Sequence, residues 1–234
     1  MNAIPRSHRP PASARRVQSI ELVVFLLILL PLMALSALAD RPDGLDFTTV
    51  AIAVIVHDLA LLALVLFFVW RNGEGFAAIG WSRRHLAREI GIGLALFAPV
   101  FLAIAGLERL LRYAGLTAPE ALPGYLMPAP GVEYLLALVF LVVVAVAEET
   151  IFRGYLLRRF HTLTGSRVAA LALSVSVFAL GHGYQGSVGI VAVGVLGLVY
   201  ALIYLWRGSL VAPTVMHFVQ NAIGLYLAPL MEAA

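Results

Sequence analysis

Side chains suited to acid–base chemistry occur in three short stretches in the second half of the chain. They are Glu148, Glu149, Arg153, His182, His217 and Asn221. Hydrolytic chemistry needs a base that activates water, a group that stabilises an oxyanion and a group that orients the site. Two carboxylates, two histidines, an arginine and an asparagine can together fill these roles.

The spacing within the stretches puts polar groups on defined helix faces. Glu149 and Arg153 are four residues apart, so they lie on one face, where opposite charges pair. Glu148 points about 100° away from Glu149, so one carboxylate is free to face a substrate while the arginine holds the other. His217 and Asn221 are also four residues apart and share a face.

The composition predicts that a membrane surrounds these residues. Of 234 residues, 62% are hydrophobic and 12% are charged, and the mean hydropathy is +0.95. Soluble chains carry roughly twice that fraction of charge, and a soluble fold cannot bury so much apolar surface. The sequence has no cysteine, which excludes disulfides, thiolate zinc sites and a cysteine nucleophile.

We predict an all-α fold, a polytopic transmembrane helical bundle of about seven spans (six to eight), because one span needs ~20 apolar residues. The first 19 residues, rich in Pro, Ser and Arg, form a predicted disordered tail. Residues 20–131 hold transmembrane helices and interfacial segments, and residues 132–230 hold the three polar stretches. The predicted spans are 20–39, 48–70, 90–107, 132–147, 168–182, 188–206 and 209–230.

The distribution of arginine predicts the orientation in the membrane. The N-terminal tail and the connections after the second and fourth spans are rich in arginine, whereas residues 40–46 are mostly acidic. By the positive-inside rule, the N-terminus is cytoplasmic and the number of spans is odd. The net charge of +3 then reflects contact with membrane lipids, and no nucleic-acid partner is implied. The compact chain and the arginine-rich tail favour a bacterial cytoplasmic membrane.

The three polar stretches are predicted to lie at similar depth. Counted inward from the arginines that flank each span, Glu148 lies about 15 Å deep, His182 roughly 22 Å and His217 about 15 Å. Asn221 lies about 21 Å deep by the same count. A charge near the bilayer centre costs at least ~2.5–3.5 kcal/mol, so such residues are functional candidates. A common depth on three helices is what one buried site requires.

At these residues the chain resembles the CPBP family of intramembrane proteases, which includes CAAX prenyl endopeptidases, bacteriocin-processing proteins and abortive-infection proteins. The family pattern is Glu-Glu-x-x-x-Arg, then Phe-x-x-x-His, then His-x-x-x-Asn or Asp, on separate transmembrane helices. The three motifs are present in order, as Glu148–Arg153, Phe178–His182 and His217–Asn221. The match covers about 132–230, which we therefore predict to be a CPBP-like catalytic core.

The resemblance implies an endopeptidase that hydrolyses a peptide bond of a membrane-associated protein or peptide. In the implied scheme Glu148 activates a water molecule and His182 helps to hold or activate it. Glu149, linked to Arg153, orients the site. The side chains of His217 and Asn221 stabilise the oxyanion. A prenylated protein, a bacteriocin leader and an anti-sigma-type protein are all compatible substrates.

The sequence permits both a metal-free and a zinc-dependent scheme. Two histidines and a glutamate can form a three-ligand catalytic zinc site, here Glu148, His182 and His217, with a second carboxylate as base. The zinc-binding pattern His-Glu-x-x-His is absent from the sequence. We favour the glutamate base, with Zn²⁺ as the candidate cofactor of the other scheme.

Two other classes of function fit parts of the pattern. A proton-coupled transporter could use Glu148, Glu149 and His182 as a relay, but the sequence shows no repeated halves with broken helices. A non-catalytic binding or immunity protein could retain the same scaffold, although intact motifs favour an enzyme. His57 and Asp58 in the second span form a polar pair outside the motifs, for which packing or lining of a cavity is favoured.

Overall fold

The computed structural model describes residues 12–38, 45–82, 85–119 and 123–227, and within them the regular structure is helical, with no strand. The predicted all-α fold is therefore confirmed. In chain order the main helices of this part are α1 Ala12–Leu38, α2 Phe47–Arg71, α3 Leu86–Tyr113, α4 Val132–Thr164, α5 Arg167–Leu180, α6 Gly186–Arg207 and α7 Val211–Ala222.

Helix length and surface chemistry identify an integral membrane protein. Within the described residues, five helices are long and apolar enough to cross a membrane, and they correspond to α1–α4 and α6. Helix α5 is a shorter apolar helix, and α7 continues as the π-helical segment Ile223–Leu227. Leu102 and Leu135 are each 69% exposed on the outside of the bundle, where lipid is a suitable solvent for them.

Helix α1 begins earlier than the sequence predicted. It starts at Ala12, so residues 12–19, which we had assigned to the disordered tail, are helical. Alanine, arginine and glutamine are good helix formers, and Pro11 stands just before the first helical residue. The rest of the predicted tail, residues 1–11, and the end of the predicted core, residues 228–230, lie outside the described residues.

Helix α4 lies at the centre of the bundle. It packs against α2 and α7, while α6 packs against α5 and α3. Half of the most apolar window of α4 is buried, compared with 11% for α3. Helices α3 and α7 approach closely at Gly93, where an added Cβ would lie 2.8 Å from the Ala212 carbonyl oxygen.

The connection between α2 and α3 folds back against the bundle. Its short 3₁₀ turn, Phe76–Ile79, packs against α4 at Gly154, where an added Cβ would lie 2.8 Å from the Ile79 carbonyl oxygen. Gly80 has a φ of +99°, which favours glycine, and its carbonyl accepts from the Leu210 amide at 3.0 Å. The connection therefore ties the middle of α4 to the start of α7.

Candidate active site

The centre of α4 is π-helical over Glu149–Leu156, and all eight residues of this segment are buried. Thr150 Oγ1 donates to the Val146 carbonyl at 2.6 Å, and Ser174 Oγ donates to the Phe152 carbonyl at 2.7 Å. Side-chain bonds of this kind compete with the regular backbone pattern of an α-helix. π-Helical turns within α-helices are frequent at functional sites.

Glu149 is the hub that joins α4 to α7. Its side chain is fully buried, and its Oε1 accepts a hydrogen bond from Arg153 Nη1 at 3.0 Å. The same oxygen lies 2.9 Å from Nδ1 of His217, which is 68 positions further along the chain. The pairing of Glu149 with Arg153, predicted from their four-residue spacing, is thus present, and His217 joins it.

Arg153 extends these contacts to α5 and α6. Its Nη2 donates to the Gly197 carbonyl at 3.3 Å, and its guanidinium carbon lies 4.0 Å from the centroid of the Phe178 ring. The side chain is only 2% exposed, so these contacts and Glu149 replace water around the charge. One arginine thereby holds three helices in register around the site.

Glu148 has a different environment from its neighbour. Its side chain is 21% exposed, and its Oε2 lies 3.7 Å from Nε2 of His217, which is beyond hydrogen-bond distance. Oε2 has no hydrogen-bond partner among the described residues. Adjacent positions on α4 therefore carry one fully buried carboxylate, bound to two partners through Oε1, and one that is partly exposed. Oε2 of Glu149, like that of Glu148, has no hydrogen bond among the described residues.

His182 lies close to this group, across the ring of Phe178. The structure places it in the turn after α5, whereas the predicted span included it. Its Nδ1 lies 2.9 Å from the Phe178 carbonyl oxygen, so Nδ1–H donates there and Nε2 faces away from that carbonyl. The Phe178 ring contacts both histidines, with ring centroids 4.8 Å from His182 and 6.4 Å from His217.

Asn221 lies one helical turn beyond His217 on α7. It is half-buried. Among the described residues, the structure gives it no hydrogen bond to the other five site candidates. The structure thus brings Glu148, Glu149, Arg153 and His217 into one cluster, sets His182 beside it, and leaves Asn221 at its edge.

Three further residues of the site were not identified from the sequence. Trp81 Nε1 donates to Thr150 Oγ1 at 2.9 Å, which ties the connection between α2 and α3 to the π-helical segment. Gly197 supplies the carbonyl that binds Arg153, and Tyr200 lies one turn away with its ring 6.0 Å from that of His217.

The two histidines are each held through one ring nitrogen. His217 Nδ1 is engaged by Glu149, and His182 Nδ1 donates to a backbone carbonyl. Metal-binding histidines are commonly held in this way through their second nitrogen, so Nε2 of each is available to a metal ion, water or substrate. Within the part of the chain that the structure describes, no three His, Asp or Glu side chains converge on one metal position.

Residues 130–223 match the family model described as type II CAAX prenyl endopeptidase Rce1-like. The match confirms the predicted resemblance to this family over these residues. This Rce1-like segment begins just before α4, ends at the first residue after α7 and contains all three polar motifs. At the level of the family, it supports membrane-bound protease activity on a peptide or protein substrate. Searches of curated proteins and of solved structures found no match.

Proposed function

We propose that the protein is an intramembrane endopeptidase in which Glu148 is the general base. The supporting observation is the contrast between two adjacent carboxylates. Glu149 is fully buried and its Oε1 binds Arg153 and His217, whereas the Glu148 side chain is 21% exposed and its Oε2 accepts no hydrogen bond in the described structure. Oε2 of Glu149 also lacks a hydrogen bond, but it lies inside the bundle. A base must have a free lone pair within reach of water, and Glu148 meets that requirement.

The proposed reaction uses only side chains of this chain. Glu148 takes a proton from water, and the resulting hydroxide attacks the carbonyl carbon of the scissile peptide bond. In its protonated form His217 can donate from Nε2 to the oxyanion while Glu149 holds Nδ1. The Asn221 amide is a second donor if the substrate reaches one turn along α7. Glu148 then returns the proton to the leaving amine, and His182 helps to hold the water.

The substrate is proposed to carry a membrane-associated apolar segment. A cavity of about 480 Å³ lies next to the π-helical segment, and apolar side chains form most of its wall. Thr150, which adjoins Glu149 in the chain, forms part of that wall. We propose that an apolar segment of the substrate occupies this cavity beside α4, and that the peptide bond to be cleaved lies at Glu148. The residues that line the cavity include Leu62, Leu66, Phe76, Trp81, Val146 and Thr150.

We further propose that residues 132–230 are the catalytic core and that the N-terminus is cytoplasmic, in a bacterial cytoplasmic membrane. Arg71, Arg159 and Arg207 stand at or near the ends of α2, α4 and α6, and each forms an ion pair with a glutamate. Glu21, the partner of Arg71, lies in the first half of α1. The charges therefore gather at one end of the bundle, as expected of the cytoplasmic side.

The proposal is tested by peptide cleavage in detergent. Wild type, Glu148→Gln and the control Glu108→Gln, a carboxylate on α3, would be incubated with quenched peptides, with and without a prenyl group. We expect wild type and the control to cleave, and Glu148→Gln to lose about 100- to 10,000-fold in kcat. A chelator in parallel reactions tests for a metal requirement.

The opposite results are equally informative. Full activity in Glu148→Gln would refute this residue as the base. If wild type binds a membrane peptide but cleaves none of the set, and Glu148→Gln binds it equally, a binding role is favoured over catalysis.

A further inference from the structure

Asp58 is a third carboxylate buried inside the bundle. It lies on α2 and is 6% exposed. Its Oδ1 lies 3.0 Å from Nδ1 of His57, the neighbouring residue. Its Oδ2 is buried and has no hydrogen-bond partner among the described residues. Burying an acceptor without a hydrogen bond lowers the stability of the fold unless water or a ligand binds it.

Helices α2 and α4 run side by side in the same direction. Near their first turns, Thr48 Oγ1 donates to Glu133 Oε1 at 2.8 Å. Further along, Leu62 of α2 and Val146 of α4 line the same cavity. Asp58 lies between these two levels on α2, so it lies within the length of the helix that packs against α4.

The register brings the carboxylates of Asp58 and Glu148 towards each other. Measured from the Thr48–Glu133 contact, Glu148 is five residues further along its helix than Asp58, an offset of about 7 Å. Helical side chains lean towards the N-terminus, so the Glu148 side chain reaches back across this offset. The charge of Asp58 accordingly interacts with that of Glu148.

Each of the two carboxylates keeps one oxygen without a hydrogen bond. Oε2 of Glu148 and Oδ2 of Asp58 are both buried and accept no hydrogen bond in the described structure. Like charges repel strongly where water is scarce. A single water molecule between them would relieve both acceptors, because it can donate one O–H bond to each and still present a lone pair to a third group.

We propose that Asp58 is a further catalytic residue, which holds the nucleophilic water together with Glu148, and that His57 is the positioning residue for Asp58. This inference rests on the proposed function. During attack, one O–H bond of the water breaks and its proton passes to Glu148. The other O–H keeps donating to Asp58, which stays ionised, and the oxygen forms the new bond to carbon.

The kinetic test compares Asp58→Asn with Asp46→Asn. Asp46 caps the start of α2 from an exposed position, and asparagine caps equally well, so this control should keep wild-type activity. We expect Asp58→Asn to lower kcat by about 10- to 100-fold, because the water is held less well, with KM within about 2-fold. His57→Gln should show a smaller loss in kcat, and Asp58→Glu should restore part of it.

A second test does not depend on activity. If the two carboxylates face each other, Asp58→Asn should raise the melting temperature by about 2–4 °C when Glu148 is present. In a Glu148→Gln background the same substitution should give no increase. A structural role for the Asp58–His57 pair predicts instead the same decrease in both backgrounds.

The outcomes separate the inference from the proposed function. Wild-type cleavage with unchanged kcat in Asp58→Asn overturns the inference and leaves the proposed function intact. An increase in KM alone assigns Asp58 to substrate binding and also overturns it. Equal decreases in melting temperature overturn it even if no substrate is cleaved, whereas inactivity of wild type alone counts against the proposed function.

Discussion

Glu148 and Glu149 are neighbours in sequence and differ in exposure and in hydrogen bonding. Oε1 of Glu149 binds both Arg153 and His217, and the side chain is fully buried. Glu148 is partly exposed, and its Oε2 lies 3.7 Å from His217 Nε2 without a hydrogen bond. The helical turn of about 100° between adjacent residues produces this division. In the proposed mechanism Glu149 therefore orients the site, and Glu148 reacts.

This division predicts opposite effects on stability. Glu149→Gln should lower the free energy of unfolding by about 3–5 kcal/mol, because Arg153 stays buried without its counter-charge. Glu148→Gln should leave stability unchanged or slightly higher, because no hydrogen bond is lost and one negative charge is removed. Unfolding in detergent, followed by tryptophan fluorescence, measures both. Equal losses in the two variants would contradict the assignment of different roles.

At the scale of elements, the site depends on the close approach of α6 to α4 and α5. An added Cβ at Gly197 would lie 2.8 Å from Phe178 Cδ1 and 3.1 Å from Arg153 Nη2. Both neighbours are buried, and both touch the group around Glu149. A glycine here lets the carbonyl of residue 197 reach the guanidinium.

We therefore predict that Gly197→Ala damages both stability and catalysis. Overpacking should cost about 1–3 kcal/mol, and displacement of Arg153 should lower kcat through Glu149 and His217. Gly194→Ala, one turn earlier on the same helix, is the matched control, because its added Cβ would meet only Ala179 at 3.5 Å. Equal behaviour of the two variants in unfolding and cleavage assays would show that the contact at Gly197 is not specific.

The sequence predicted those features that lie within one helix. The Glu149–Arg153 pair follows from a spacing of four residues, and the apolar spans follow from composition. The contact of His217 with Glu149 joins residues far apart in the chain, so it depends on how α4 and α7 pack. The motif pattern placed both residues in one site without giving their contact. Neither the π-helical turn nor the Gly197 carbonyl has a local signal of its own.

At the scale of the molecule, the charged ends and apolar flanks define how the bundle sits in a membrane. Arg71, Arg159 and Arg207 pair with glutamates at one end. At the other end Thr117, after α3, binds the start of α6, where its carbonyl accepts from the Val188 amide at 2.9 Å. This contact joins the connection after α3 to the start of α6.

The orientation leads to a labelling experiment with little background, because the chain contains no cysteine. Ser13, near the start of α1, and Ala114, just after α3, are both exposed and lie at opposite ends of the bundle. A membrane-impermeant maleimide added to intact bacterial cells should label Ala114→Cys and leave Ser13→Cys unlabelled until the cells are opened. The reverse pattern would place the arginine-rich end outside. The charge distribution would then have to be explained by contacts within the protein alone.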